Sequence, residues 1–252
     1  MVIDWYMQLK SLEGCQLKIG SYPPFTYNAY GGGGKGKLIS GVPGVEPAVV
    51  TVIWGGVVGT NAAKLAAGLG AKVNILDVNM DRLRYLDDIM PLNVVTHHSN
   101  SHTIDKLLPN TDLLIGGVLV PGSKAPKIIS KKMLSLMKKG SVVVDVAVDQ
   151  GGCIETTKAT THENPIYTVN DIVHYCVANM PGAVPKTSTI SLTNSTSSYI
   201  LELLKQDFSR DTLTSKSIAS GINVYRGEVT HRGLAESFKM PYKELSSIVT
   251  LK

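Results

Sequence analysis

From residue 49 to residue 179 the chain alternates short apolar runs with stretches that repeat apolar positions every three or four residues. Runs of four to six β-branched and aliphatic residues suit buried strands, and the longer periodic stretches suit helices that cover them. Strands are expected over residues 49–53, 72–76, 94–95, 113–115, 142–146 and 173–177, with the clearest helices over 60–69, 82–89 and 131–138. Strand and helix in strict alternation specify an α/β fold with a doubly wound parallel sheet. Pro181 and Pro185 punctuate the end of this block, and residues 187–206 carry a helical apolar pattern ending in Tyr199, Ile200, Leu201, Leu203 and Leu204. Residues 211–252 read as helical and irregular. The start of the chain differs. Residues 1–40 hold Pro23, Pro24, Asn28 and four consecutive glycines from Gly31, a short helical stub followed by a loop. The expected organisation is a divergent stub and linker over 1–40, a sheet domain over 41–182, and a C-terminal segment over 183–252.

Composition narrows the picture without redirecting it. Of 252 residues 43% are hydrophobic and 18% charged, the balance of a globular domain. The formal charge of +5 is spread thinly, with only short basic pairs such as Lys131-Lys132 and Lys138-Lys139, so a nucleic-acid-binding stripe is not expected. Cys15, Cys153 and Cys176 make an odd count without CxxC spacing, which suits reduced thiols and a cytoplasmic location. No apolar run reaches the ~20 residues that span a bilayer, and no membrane association is expected.

Two glycine-rich segments compete as phosphate cradles. GGGGKGK, from Gly31 to Lys37, fits the opening of a P-loop, but Leu38 stands where a magnesium-binding hydroxyl belongs. No strand precedes it and no helix follows, so it reads as a linker. The second segment has the right context. The strand at 49–53 runs into Trp54-Gly55-Gly56-Val57-Val58-Gly59 and then a helix-forming stretch. In a Rossmann-type fold the fingerprint G-x-G-x-x-G uses its first glycine for the tight turn. The second admits the pyrophosphate, and the third lets helix and strand pack closely. Here those positions are Trp54, Gly56 and Gly59, so the first glycine is lost. Asp77 ends the next strand at about the ~20-residue offset of a ribose-binding carboxylate. A carboxylate there accepts from both ribose hydroxyls and repels a 2′-phosphate, so NAD is favoured over NADP.

Three further segments give the chain a specific likeness. GVPGV begins at Gly41, DVAVDQGGC runs from Asp145 to Cys153, and HYCVANMPGAV runs from His174 to Val184 ahead of Thr187-Ser188-Thr189. In this order they resemble the alanine dehydrogenase and transhydrogenase α-subunit family, and the last is closer to the dehydrogenase branch. The resemblance covers about residues 41–204 and continues more loosely through 223–228. It implies NAD as cofactor, a small-molecule substrate pair of L-alanine and pyruvate, and homo-oligomeric assembly. It implies that Gly55, Gly56, Val57, Val58, Gly59 and Asp77 hold pyrophosphate and adenosine ribose, with Arg82 and Ser99 toward the adenosine. Val118 and Leu119 would line the cleft. Val146, Ala147, Val148 and Asp149 would border the nicotinamide with Val177, Ala178, Asn179 and Met180. Lys158 stands near a position that is often basic in the family. Asp149 matches the catalytic aspartate, which can orient a water and relay protons as an iminium is hydrolysed. His97 and His98 read as loop residues, His162 as a turn or rim residue, and Cys153 and Cys176 as packed thiols. Histidine and cysteine spacing supports no metal site.

The same likeness exposes two departures. The family opens with a long segment that supplies a substrate-binding arginine, a substrate-binding lysine and a catalytic histidine, and nothing before Gly41 resembles it. The C-terminal segment would then return to a remnant of that substrate domain. Trp54 is the second departure, since an indole at the first glycine restricts the backbone and adds bulk near the adenosine. Two readings follow: an alanine dehydrogenase-like oxidoreductase impaired in its isolated chain, or a non-catalytic NAD-binding remnant or one chain of a split enzyme.

Overall fold

Valine and isoleucine build the centre of a sheet in which neighbouring strands lie buried on both faces. In the computed structural model, which describes residues 33–118, 125–205, 212–213 and 215–251, β1 (Val49–Ile53) is flanked by β2 (Lys72–Asp77) and β4 (Leu113–Gly116). β3 (Val94–His98), β5 (Val142–Asp145), β6 (Ile166–Val169) and β7 (Ile172–Tyr175) complete seven strands in the order β3-β2-β1-β4-β5-β7-β6. All pairs are parallel except β6 with β7. The order reverses between β1 and β4, where doubly wound sheets open a crevice at the carboxyl ends of their strands. That confirms the expected α/β Rossmann-type sheet and adds an antiparallel edge.

Helices cover the sheet with small residues where approach is closest. α1 (Val57–Gly68) buries Val58, Ala62, Ala63, Ala66 and Ala67. α2 (Met80–Ile89) buries Leu83 and Leu86. It starts two residues before the expected boundary because Asn79 caps it, accepting from the Asp81 and Arg82 amides at 2.9 and 3.2 Å. α3 (Ser101–Leu107), capped by Asn100, is absent from the sequence expectation. The helix expected over 131–138 is only α4 (Lys131–Leu134), because Leu136 and Met137 bond three residues back and tighten the chain into turns.

The ends of the strands also depart from expectation. His97 and His98 belong to β3 rather than a loop, paired with Leu76 and Asp77. Asn74 Oδ1 meets His97 Nε2 at 2.9 Å. Burial, then the charge of Lys106, lowers the His97 pKa. The strand expected at 173–177 is one arm of a hairpin, its two-residue turn formed by Asn170 and Asp171 at φ 52° and 60°. Asparagine and aspartate tolerate that left-handed conformation better than other side chains.

The chain divides into two compact units, of which residues 125–185 and those before 119 form the one with the sheet. The other runs from 186 onward. α5 (Pro185–Leu203) leads into it and buries none of its residues. Beyond it lie β8 (Thr212–Leu213), α6 (Lys216–Gly221), β9 (Val224–Tyr225), β10 (Glu228–Val229), α7 (Arg232–Phe238) and β11 (Thr250–Leu251). β9 pairs antiparallel with β10, and β8 pairs parallel with β11. None of the described helices is long and apolar enough to cross a membrane.

The amino edge of the sheet explains the first glycine-rich segment. Gly31 and Gly32 lie outside the described residues, but Lys35 and Lys37 reach the Asp112 carboxylate at 2.9 and 2.8 Å. The Val49 amide donates to the same group at 2.9 Å. The two lysines therefore clamp the linker to the end of the sheet opposite the crevice, and neither is spare for a phosphate. Burial pushes the Asp112 pKa up, but donation from Lys37, the Val49 amide and Lys35, with the Lys35 charge, takes it below its ordinary value. A carboxyl with a depressed folded pKa adds stability above the unfolded carboxylate range and loses it as pH falls through the folded value. Asp112→Asn should lower stability at pH 7 by roughly 1.5–3 kcal/mol, read as a lower urea midpoint. The gap to wild type should begin to narrow as pH falls below about 4 and close only once pH has fallen through the depressed folded pKa of Asp112.

Candidate functional site

The chain turns sharply as it leaves β1. Trp54 donates its amide to Leu76 O at 2.9 Å and adopts φ 84°, a left-handed conformation rarely held by a bulky side chain. Gly56 then caps α1 without a side-chain partner, and Thr60 makes the first intrahelical bond, to Gly56 O at 2.9 Å. The amides of Val57, Val58 and Gly59 precede that bond, and no acidic residue occupies the first turn. This is the end of a helix that favours an anion. A methyl group at Gly59 would overlap the Trp54 carbonyl oxygen, so only glycine lets α1 start this close to β1. Trp54 is partly buried and packs against a core cluster whose members include Ile53, Leu76 and Val118. Its Cδ1 and Nε1 would lie 3.0 and 3.2 Å from a side chain at Gly56. The indole edge thus covers part of the second glycine.

Asp77, at the end of β2, is 4% exposed and ties the turn together. Its Oδ2 accepts from the Gly55 amide at 2.9 Å and its Oδ1 from the Asn79 amide at 2.9 Å. Arg82 reaches back from α2, donating from Nε to Gly55 O at 2.6 Å and from Nη2 to Thr60 Oγ1 at 2.7 Å. Ser99, after β3, donates its amide to Asp77 O at 2.9 Å. The structure therefore brings Gly55, Gly56, Gly59, Asp77, Arg82 and Ser99 to one corner of the carboxyl edge. Val57 and Val58 open the adjoining helix, Val57 exposed and Val58 buried. Val118 follows β4 and is fully buried, while Leu119 lies outside the described residues.

The second half of the edge is organised by a group that the sequence pattern underplays. Asp145, fully buried at the end of β5, accepts from the amides of Ala147 at 3.0 Å, Cys153 at 2.9 Å and Ile154 at 3.2 Å. Thr157 Oγ1 donates to it at 2.6 Å. Burial raises its pKa despite these donors. This carboxylate folds residues 147–157 back onto the strand and sets out Val146, Ala147, Val148 and Asp149 in sequence. Cys153 and Cys176 are buried and free, as expected of packed thiols. Burial pushes the Cys176 pKa up to about 12, which leaves it a poor nucleophile. Lys158 lies over the Tyr167 ring, 4.8 Å from its centroid, and its amide donates to the Tyr167 hydroxyl at 2.8 Å.

Asp149 is exposed, and its Oδ2 accepts from the Asn179 amide at 3.3 Å. Val177, Ala178, Asn179 and Met180 follow β7, and of these Asn179 has a left-handed φ of 53°. His162, expected at a turn or rim, reaches Asn179 O with Nε2 at 3.1 Å. Gln150 Oε1 is buried with no hydrogen-bond partner, an unsatisfied acceptor next to Asp149. The described residues contain no group of three or more side chains able to hold a metal ion.

Comparison with known proteins identifies relatives of the chain. Residues 26–232 match the model of the alanine dehydrogenase/PNT C-terminal domain. The chain belongs to that family. It is 52% identical over 211 residues to an alanine dehydrogenase of Methanococcus maripaludis, covering 83% of this chain and 57% of that protein. It is 51% identical over 217 residues to an alanine dehydrogenase of Halomonas elongata, covering 86% and 58%. Among solved structures an L-alanine dehydrogenase superposes with a TM-score of 0.79 at 42% identity, over 94% of this chain and 64% of that one. A transhydrogenase from Sinorhizobium meliloti, at 24% identity and a TM-score of 0.60, shares the fold. The chain thus spans a little under three fifths of the curated relatives quoted, at 57% and 58%.

The loop that carries Asp149 makes a specific stability demand. Gly152 has φ 72°, and a side chain there would sit 2.7 Å from Asp145 Oδ2 and overlap Thr157 Oγ1. Gly152→Ala should destabilise the domain by about 1–3 kcal/mol, measured by thermal or urea unfolding, whereas Gly151→Ala meets no atom within 4 Å and carries only the strain of its φ of 91°.

Proposed function

We propose that this chain is the cofactor-binding half of an alanine dehydrogenase-like oxidoreductase and that its carboxyl edge takes NAD. The observation that carries the reading is the corner at the β1/β4 switch. There a glycine turn feeds a helix start free of acidic residues, beside a strand-end carboxylate at Asp77. The residues fit a dinucleotide in three respects. Gly59 gives the close helix approach, the α1 amides face the position of a pyrophosphate, and Asp77 keeps lone pairs on both oxygens beyond the bonds it makes. At the same corner Arg82 donates to the Gly55 carbonyl and the Ser99 amide to the main-chain carbonyl of Asp77. The Trp54 indole opposes the fit, because its edge covers part of Gly56.

Bound here, the nicotinamide would accept hydride from the α-carbon of L-alanine in the overall reaction L-alanine + NAD+ + water to pyruvate + ammonium + NADH + H+. Residues 146–149 and 177–180 would border its ring. Asp149, with Oδ2 held by the Asn179 amide and Oδ1 free among the described residues, is the group that would orient water and move a proton. The buried unsatisfied Gln150 Oε1 gives that loop a reason to rearrange when a donor arrives, since an unpaired buried acceptor costs about 1–3 kcal/mol. Groups that recognise the amino acid are not assigned to any described residue. The second reading, a non-catalytic dinucleotide-binding chain or one chain of a split enzyme, is favoured by Trp54.

NADH titration followed by fluorescence tests the first step. Saturable binding is expected, tighter than NADPH by at least about tenfold, or about 1.4 kcal/mol. Trp54→Gly should tighten NADH by a similar factor, and superimposable titrations of the two proteins would refute the obstruction. Mixed with L-alanine and NAD, the 252-residue chain is expected to show little or no turnover. Robust turnover would show that it supplies the amino-acid-binding groups itself.

A further inference from the structure

The segment between β5 and β6 does more than connect them. Thr160 runs beside Val177 as a parallel bridge, donating its amide to Cys176 O at 2.9 Å and accepting from the Ala178 amide at 3.0 Å. Thr160 Oγ1 fixes the far side of the loop through Pro165 O at 3.0 Å. This register brings His162, two residues on, to Asn179.

The contact has a defined polarity. His162 Nε2 lies 3.1 Å from Asn179 O, and a carbonyl only accepts, so Nε2 carries the proton. The Gly182 amide donates to the same oxygen at 2.9 Å. On its other side Asn179 gives its amide to Asp149. Both peptide planes that flank Asn179 are therefore held, one by His162 and Gly182 and the other by Asp149. Between them sit φ 53° and ψ 52°, a left-handed conformation that asparagine reaches more readily than most side chains but that still departs from the ordinary backbone regions. Packing leaves little slack, since a side chain at Gly182 would lie 3.3 Å from Asn179 Nδ2 and 3.4 Å from His162 Nε2.

We propose that His162 is a positioning residue for the nicotinamide end of the site. By donating to the Asn179 carbonyl it holds Asn179 left-handed, keeps the Asn179 amide on Asp149, and fixes the shape of residues 177–180. The inference rests on reading this edge as a dinucleotide site. It differs from a rim role in one respect: the effect is confined to the nicotinamide end and leaves the adenosine corner at Asp77 untouched.

The test titrates NADH and ADP-ribose, which lacks the nicotinamide, against wild type, His162→Ala and His162→Gln, with thermal unfolding as a folding check. His162→Ala should weaken NADH about five- to tenfold and leave ADP-ribose within about twofold, by the affinity relation in which tenfold is 1.4 kcal/mol. His162→Gln keeps an N–H donor and should recover most of the loss. An unchanged NADH affinity in His162→Ala would overturn the proposal, as would equal losses for both ligands. The same series in a Trp54→Gly background reads the effect with the turn unobstructed. Failure of the Trp54→Gly parent to bind either ligand counts against the dinucleotide reading, and the proposal falls with it.

Discussion

The approach of α1 to β1 is set by the missing side chain at Gly59. A methyl group there would occupy the Trp54 carbonyl oxygen, so the helix can start only where glycine stands. That contact fixes where the α1 amides point and how its alanine face meets the sheet. It also places Gly55 within reach of Asp77 and Arg82. The corner is consequently a closed set of bonds: Asp77 holds the Gly55 amide, Arg82 holds the Gly55 carbonyl, and Thr60 ties the helix start to both glycine carbonyls. A change at any one of these positions moves the others.

A buried carboxylate performs the corresponding task on the other side of the crevice. Asp145 gathers the Ala147, Cys153 and Ile154 amides and the Thr157 hydroxyl around two oxygens. Burial favours its neutral form, whereas four donors favour the charged one. Deleting the acceptor would strand the three buried amides, while the Thr157 hydroxyl would keep Ile154 O at 2.8 Å, so the arrangement is hard to replace. Asp149 needs no fold of its own. It is carried on a loop whose course Asp145 has already set, and the bond its carboxylate accepts from Asn179 joins that loop to the segment after β7.

Much of this could be read in the amino-acid order, and the misses have physical causes. Periodicity located the buried strands because each is a continuous apolar run, and the glycine spacing before residue 60 located the turn. α3 escaped notice because its one buried side chain is Ile104, too few for a periodic signal. The Asn79 cap and the Asn170-Asp171 turn were visible as residue types, but each is a local hydrogen-bonding or left-handed preference rather than a hydrophobic pattern. The clamp on Asp112 joins residues 75 and 77 positions apart, and no local rule links them. His162 was hidden for the same reason. Its partner lies 17 residues away, across a bridge that only the folded sheet creates.

Trp54 shows which of these constraints dominates. If the residue at the turn chose its own backbone, an indole would pull φ back to negative values, since a strained left-handed conformation costs on the order of 1–3 kcal/mol. Instead φ stays at 84°. The Trp54 amide is committed to Leu76 O, its carbonyl is wedged against Gly59, and Gly55 is anchored on either side by Asp77 and Arg82. Neighbours therefore impose the turn, and the side chain adapts by laying its edge along Gly56. Trp54 thus carries the strain of a left-handed backbone and also fills space beside Gly56, so it bears on folding as well as on the room in front of the turn.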